Sequence, residues 1–386
     1  MTMPHKQIIK VFDLLRKLMR RRFVWLSSKT KFPTVVVELK GVATISLLLP
    51  SLSQFFFLPI SGNQLFINFH IFWVLMARSR LLFRKRISLR GLYILAISQT
   101  IGAKLIISII DNNSWGNLFK YSDLRIISLQ NGLRVANEYG LMTEQDIYIG
   151  FSKKKPKDLK TRTYLGLGSL SIASLKPTDR PERSDKGKTV VFVSHFRSHR
   201  CGDSAHDSQI FLAKWTANYA KERGLLFKIA LNARETAQSK AEKEYFQSAG
   251  IHFQYSEQSH PNVSIEDVSN AALVVGGWST LLVESLALGI PTLICYQLLL
   301  DNLYPKAGNE SPGFELVDRD FLLPATANFV TFCDFADHLF HLSQESLAKK
   351  VIQHRIDVCA APIGDEYSKT LEKIVLEILK NKKLDK

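Results

Sequence analysis

The stretch "VVGGWSTLLVESLALGIPTLICY", residues 274 to 296, holds the residue types and spacing most suggestive of chemistry. A β-branched run ends at Gly276-Gly277, which lets a backbone approach a ligand closely. Ser279 and Thr280 then open a helical pattern, and the N–H groups at such a helix start form an anion site aided by the helix dipole. Phosphate is the natural guest there. Glu284 follows Thr280 by one helical turn on the same face, where a carboxylate can accept hydrogen bonds from two hydroxyls, as a ribose offers them. A Ser/Thr cap followed by an acid in the first turns is also how many helices begin. On these residues alone both readings stand.

Other strand ends carry polar side chains of the same kind. In "VFVSHFRSH" an apolar run stops at Ser194, and His195 and Arg197 follow, placed to meet a phosphate at the same edge. "ALNAR" puts Asn232 and Arg234 in a comparable position. In the first half, "IISIIDNN" ends on Asp111, Asn112 and Asn113, a carboxylate with two amides. Asp111 can take a proton from an attacking hydroxyl or cap a helix. "LQNGLR" supplies Gln130, Asn131, Gly132 and Arg134. Asn-Gly is a common turn, and Arg134 can clamp a phosphate or carboxylate. Glu38, which closes "TVVVE", is a second candidate base. His195, His199, Cys201 and His206 match no standard zinc-finger spacing, so a metal is not expected.

The elements that must position these residues alternate. "PTVVVEL" and "QFFFLPI" are strands, a long amphipathic helix is expected from about Leu65, and a helix over "ISLRGLYILAISQTIG" precedes the strands "AKLIISII" and "LRIISL". Wholly apolar strands separated by helices indicate a parallel sheet covered on both faces. Charge and proline dominate 153–188, read as the connection between domains. The alternation then restarts at "KTVVFVSHF", and "EYSKTLEKIVLEILKNKKL" closes the chain with helical spacing. The expected organisation is therefore two doubly wound, Rossmann-like α/β domains, 1–152 and 189–365, with a C-terminal helix over 366–386. Ligands bind such folds at the carboxyl ends of the strands, so the two domains would face each other across a cleft.

Composition narrows the partners. The 386 residues carry a formal charge of +16, which calls for a polyanionic partner. The excess is early, in "RKLMRRRFVWLSSKTK" and "ARSRLLFRKRISLR", where arginines alternate with Leu, Phe, Val and Trp. That interleaving suits either a surface dipping into anionic lipid or a solvated basic helix face. No RNP, KH or zinc-finger pattern accompanies it, so nucleic acid is not the expected partner, and a basic nucleic-acid-binding protein is the rival from a different class. Four dispersed cysteines without a C-x-x-C pair fit a reducing cytoplasm. Pro50 and polar residues interrupt the apolar run 41–60, which reads as buried structure and not as a membrane span.

Two segments resemble a known family. "GWSTLLVESLALGIPTLICY" resembles the donor-binding segment of GT-B glycosyltransferases, in which a Ser/Thr pair, a Glu and a "GiP" continuation bind a nucleotide sugar. "AKLIISIIDNNSWGNLFKYSDLRIISLQNGLR" resembles the "FIDN … QNGxR" signature of bacterial surface-carbohydrate biosynthesis transferases, and "TVVVELKG" and Gly168-Ser169 match further parts of that pattern. Glu38 departs from it, because the family usually has Asp on the first strand. The resemblance implies a GT-B fold. It further implies transfer of a sugar from a nucleotide-activated donor to a lipopolysaccharide- or capsule-like glycan acceptor, free or lipid-linked, without metal or cofactor. The donor would meet Ser194, His195, Arg197, Asn232, Arg234, Gly276, Gly277, Ser279, Thr280 and Glu284. Asp111 or Glu38 would serve as base, with Asn112, Asn113, Gln130, Asn131, Gly132 and Arg134 toward the acceptor. A polyol-phosphate transferase using a CDP-linked donor is the alternative on the same fold. The expected location is the cytoplasm, peripheral on the inner membrane.

Overall fold

A computed structural model of the chain describes residues 22–27, 32–37, 49, 55–58, 64–83, 88–109, 115, 117–134, 136–175, 188–198, 201–202, 204–232, 236–257, 263–296, 298, 317–362 and 365–380. Glu38, Asp111, Asn112, Asn113 and Arg234 lie outside them.

In the first half the strands are β1 (Arg22–Trp25), β2 (Thr34–Val37), β3 (Phe56–Leu58), β4 (Gln64–Ile67), β5 (Leu105–Ser108), β6 (Arg125–Leu129), β7 (Gln145–Gly150) and β8 (Thr161–Gly166). Their helices are α1 (Phe69–Phe83), α2 (Leu89–Thr100), α3 (Ala136–Leu141) and α4 (Leu170–Ala173). Six strands form one parallel sheet in the order β3-β2-β5-β6-β7-β8, and β1 pairs with β4 in a separate parallel ribbon. The apolar triplets that predicted buried strands are buried, Val35, Val36 and Val37 and likewise Leu105, Ile106 and Ile107.

The second half contains β9 (Thr189–Val193), α5 (Ser204–Glu222), β10 (Leu226–Ala230), α6 (Thr236–Ser248), α7 (Val263–Ser269), β11 (Leu273–Gly276), α8 (Thr280–Ala287), β12 (Thr292–Ile294), α9 (Phe329–His341), α10 (Gln344–Asp357) and α11 (Glu366–Leu379). Its parallel sheet runs β10-β9-β11-β12. Strand order reverses between β9 and β11 here and between β2 and β5 in the first sheet. At such switch points a crevice opens beyond the strand ends.

Three differences from the sequence reading have clear causes. The helix expected from Leu65 starts at Phe69, because Gln64–Ile67 pairs with Arg22–Trp25 and the Asn68 side chain accepts the amide of His70 at 2.7 Å, a cap at the helix start. The stretch 153–188 is more than a connection, since it supplies β8 at the edge of the first sheet. The C-terminal helix returns to the first domain. Tyr367, Leu371, Ile374, Val375 and Ile378, one face of α11, share a core with Val36, Leu105, Ile107 and Ile127.

Candidate functional site

The site builds up from the reversal between β9 and β11. Gly276 is in register with Val193, so the residues that follow each strand leave the sheet side by side. The amide of Ser194 donates to Ala230 O at 3.2 Å, and its hydroxyl accepts the amide of Phe196 at 3.1 Å. The buried Gln209 carboxamide oxygen accepts the amide of His195 at 3.2 Å. Asn232 braces the same loop, donating from Nδ2 to Phe196 O at 2.8 Å, while its own amide donates to the buried carboxylate of Glu242 at 2.9 Å. The loop is thus held from behind, with His195 half-buried and Arg197 exposed at its rim. Asn232 shapes this wall.

On β11 the demand for glycine is one of packing. A Cβ on Gly276 would stand 2.9 Å from Leu282 Cδ2 and 3.2 Å from Val193 Cβ, so a larger residue there would press the Leu282 side chain and α8 away from the strand. Gly277 is buried beside it. Ser279 has an extended backbone, and its hydroxyl accepts the amide of Leu281 at 3.2 Å, which makes it the N-cap of α8.

From behind, α8 is held by α10. His354 is buried and its Nε2 lies 3.0 Å from Val283 O. Burial pushes its pKa down to about 4, so near neutrality the ring is uncharged and Nε2–H donates. Arg355 Nε donates to Ala287 O at 2.9 Å, placing a cation on the C-terminal carbonyls of the helix.

The first domain approaches the tip of α8 through the turn after β6. Gln130 is buried and spans that turn: Oε1 accepts the amide of Phe151 at 2.9 Å, and Nε2 donates to Gly132 O at 2.9 Å and to the Tyr139 hydroxyl at 3.1 Å. Asn131 Oδ1 accepts from Arg134 Nη2 at 3.0 Å at the surface. The next amide, that of Leu133, donates to Thr280 Oγ1 at 3.0 Å across 147 residues of sequence. The space above Gly132 ends on the same Thr280 hydroxyl. The two segments singled out from sequence, "LQNGLR" and "GWSTLLVE", therefore meet.

Glu284 sits at a second junction. It is 5% exposed, and its Oε1 accepts a hydrogen bond from Ser169 Oγ. Ser169 also caps α4, accepting the amide of Ser171 at 3.1 Å. The returning segment 358–362 closes this corner: Ala360 N donates to Phe151 O at 2.9 Å, and Ser169 N donates to Ala360 O at 3.3 Å. Burial, and after it the nearby Glu284 carboxylate, push the Cys359 thiol well up, so it stays protonated. Sequence reasoning missed Leu133, which acts through its backbone, and the partnership of Ser169 with Glu284. Gly168-Ser169 was visible as a turn without a partner.

No protein-family model and no curated protein matches the sequence. Solved structures do match. One is the wall teichoic acid polymerase TagF, 13% identical, with 98% of this chain and 97% of that chain covered and a TM-score of 0.54. The fold is GT-B. A second match is S. aureus MnaA in a co-structure with UDP, 12% identical, covering 92% of this chain and 98% of that chain with a TM-score of 0.52. A TagF variant soaked with CDPG is 12% identical, with 97% and 96% covered and a TM-score of 0.53. The GT-B architecture accounts for the geometry above, in which the turn after β6 of one sheet domain meets the tip of α8 at the carboxyl end of the other sheet.

Proposed function

We propose that this chain is a GT-B glycosyltransferase that moves a sugar from a nucleotide-activated donor onto a surface glycan acceptor, free or lipid-linked. The observation that carries this function is the tip of α8, where a capped helix start, a buried acid one turn in and a turn from the opposite domain converge. The N–H groups at Ser279 and Thr280, with Gly277 beside them, receive the donor diphosphate. His195, Arg197 and Arg234 offset the charge that develops on the leaving group. Glu284, held by Ser169, directs its carboxylate toward the ribose hydroxyls. Asp111 takes the acceptor proton, with Glu38 as the second candidate base, and Asn112, Asn113, Asn131 and Arg134 line the acceptor side. Ser194, Asn232, Gly276, Gln130 and Gly132 keep the walls in shape. The nucleotide sugar is a co-substrate, and no metal or cofactor enters this chemistry. The enzyme works on the cytoplasmic side of the inner membrane, held there through its basic N-terminal half.

A second reading has support in the fold match to TagF, a wall teichoic acid polymerase of which a variant was soaked with CDPG. On it the transferred group is a polyol phosphate from a CDP-linked donor. Thermal-shift titration with nucleoside mono- and diphosphates, nucleotide sugars and CDP-linked polyols separates the two, because a ligand that binds only the folded state raises the melting temperature. Stabilisation by one nucleotide-sugar family, lost in Glu284→Gln, supports the glycosyltransferase; a response confined to CDP-polyols moves the assignment to the second. If no nucleotide shifts the protein, both fail, and salt-sensitive RNA or DNA binding would then favour a nucleic-acid-binding protein.

A further inference from the structure

The largest unexplained feature lies on the first domain, away from the tip of α8. Along α1, Ile71 and Val74 are buried in the core, whereas Phe69 (75%), Phe72 (59%), Trp73 (68%) and Met76 (58%) are exposed. Their spacing of three, four and seven residues places them on one stripe of the helix. The Trp25 and Phe69 rings meet in a T-shaped arrangement at a centroid distance of 5.4 Å, which joins the stripe to β1, where Trp25 and Phe23 are also more than half exposed. Six side chains of this size, at these exposures, present on the order of 800 Å² of apolar surface. Monomeric proteins rarely expose a contiguous patch larger than a few hundred Å².

The charge around the stripe names its partner. Arg80 follows Met76 by one turn on the same face, and Arg78 and Arg90 are exposed beside it. Between Glu38 and Asp111 the sequence contains no acidic residue, while Lys40, Arg78, Arg80, Arg84, Lys85, Arg86, Arg90 and Lys104 fall in that span. A helix with bulky aromatics on its outer stripe and exposed arginines along it suits a lipid interface, with the rings at acyl depth and the guanidinium groups on phosphate. Stacking on single-stranded nucleic acid would need the rings spaced along a groove. Here they close into one convex stripe containing a methionine. Among the described residues no helix is long and apolar enough to cross a membrane, so the contact is one of surface insertion.

We infer that α1 and β1 form an insertion surface for anionic phospholipid, with Trp25, Phe69, Phe72 and Trp73 as the anchoring side chains. This deepens the membrane part of the proposed function and does not depend on the donor chemistry. Flotation of the full chain with vesicles tests it, using phosphatidylcholine alone against phosphatidylcholine containing about 30% phosphatidylglycerol. Binding is expected on the anionic vesicles and should weaken with salt. It should fall about tenfold or more in Phe72→Ser/Trp73→Ser, since both rings lose their burial in lipid. The substituted positions are exposed, so an unchanged melting temperature and an unchanged nucleotide response should accompany that loss. Vesicle-bound protein should also show tryptophan quenching by bromine-labelled acyl chains. The inference is overturned if wild type ignores anionic vesicles or the double variant binds them equally. It is also overturned if the stripe substitutions abolish binding to a single-stranded oligonucleotide or convert a dimer to a monomer while vesicle binding persists. Loss of nucleotide binding with intact vesicle binding would fault the donor assignment alone.

Discussion

Ser169 Oγ donates to Glu284 Oε1, tying the turn after β8 to the second turn of α8. The bond is buried, and the same hydroxyl accepts the amide of Ser171. One carboxylate oxygen of Glu284 is therefore fixed in place by a residue 115 positions earlier in the chain. Removing a hydrogen bond from a buried acid held in this way costs free energy.

Ser169→Ala should lower stability by about 1–3 kcal/mol, through the lost cap and the lost hydrogen bond to the buried carboxylate together. Ser169→Thr, which keeps the hydroxyl, should recover most of it. Glu284→Gln should be milder than Glu284→Ala, because its amide oxygen still accepts from Ser169 while the charge is gone. Urea denaturation of the four variants checks this, and equal stability for Ser169→Ala and wild type would dismiss the bond as energetically idle.

The Leu133–Thr280 contact gives a second expectation. Thr280→Val removes the acceptor at nearly constant shape and Thr280→Ser retains it. A single neutral hydrogen bond of this kind is worth about 1 kcal/mol. The valine variant should melt a few degrees lower and the serine variant should track wild type. Under the proposed function, the valine variant should also raise KM for the acceptor more than for the donor nucleotide, because it loosens the first domain's turn. A change confined to donor affinity would count against that.

Much of this was legible in the sequence because the relevant strands are apolar throughout. "TVVFV" and "LVVG" could be assigned without tertiary information, and the Gly-Gly-x-Ser-Thr turn announced the start of α8. What was missed depends on partners far away. Strand β7, "QDIYIG", hides its period because Asp146 is wholly buried, where it pairs with Arg125 at 2.8 Å. Strand β4 resembled the start of a helix because its partner β1 lies 42 residues earlier, as the register Arg22 to Gln64 shows. Ser169 and Leu133 carry no local mark of their partners, since one is an ordinary turn hydroxyl and the other acts by a main-chain amide.

Stability should also report the buried His354. Its pKa is pushed down to about 4 by burial, against an ordinary value near 6.5 in the unfolded chain. Between those values the unfolded state binds the extra proton and the folded state does not, so stability falls as pH drops through that window and is fully present above it. The full difference corresponds to about 3 kcal/mol. Denaturation midpoints from pH 7 to pH 4 should slope less in His354→Gln than in wild type. A variant with an unchanged slope would show that other groups govern acid sensitivity.

Two glycines with left-handed backbones make a matched test of what encloses the site. Gly168 has φ +94° and Gly202 has φ +89°, so alanine at either pays the same conformational cost of about 1–2 kcal/mol. Their surroundings differ. A Cβ at Gly202 would meet nothing within 4 Å, whereas one at Gly168 would stand 2.3 Å from Ala360 O, a backbone atom of the segment that closes over Ser169 and Glu284. Gly202→Ala should therefore lose only the conformational term, while Gly168→Ala must also push the 358–362 crossing away from the turn. Because Ser169 N donates to Ala360 O, that displacement reaches Glu284. Calorimetry should place Gly168→Ala well below Gly202→Ala, and amide exchange should show Ala360 and Ser169 losing protection only in the former. Equal losses in both would mean that segment 358–362 yields freely and does not brace the Ser169–Glu284 pair.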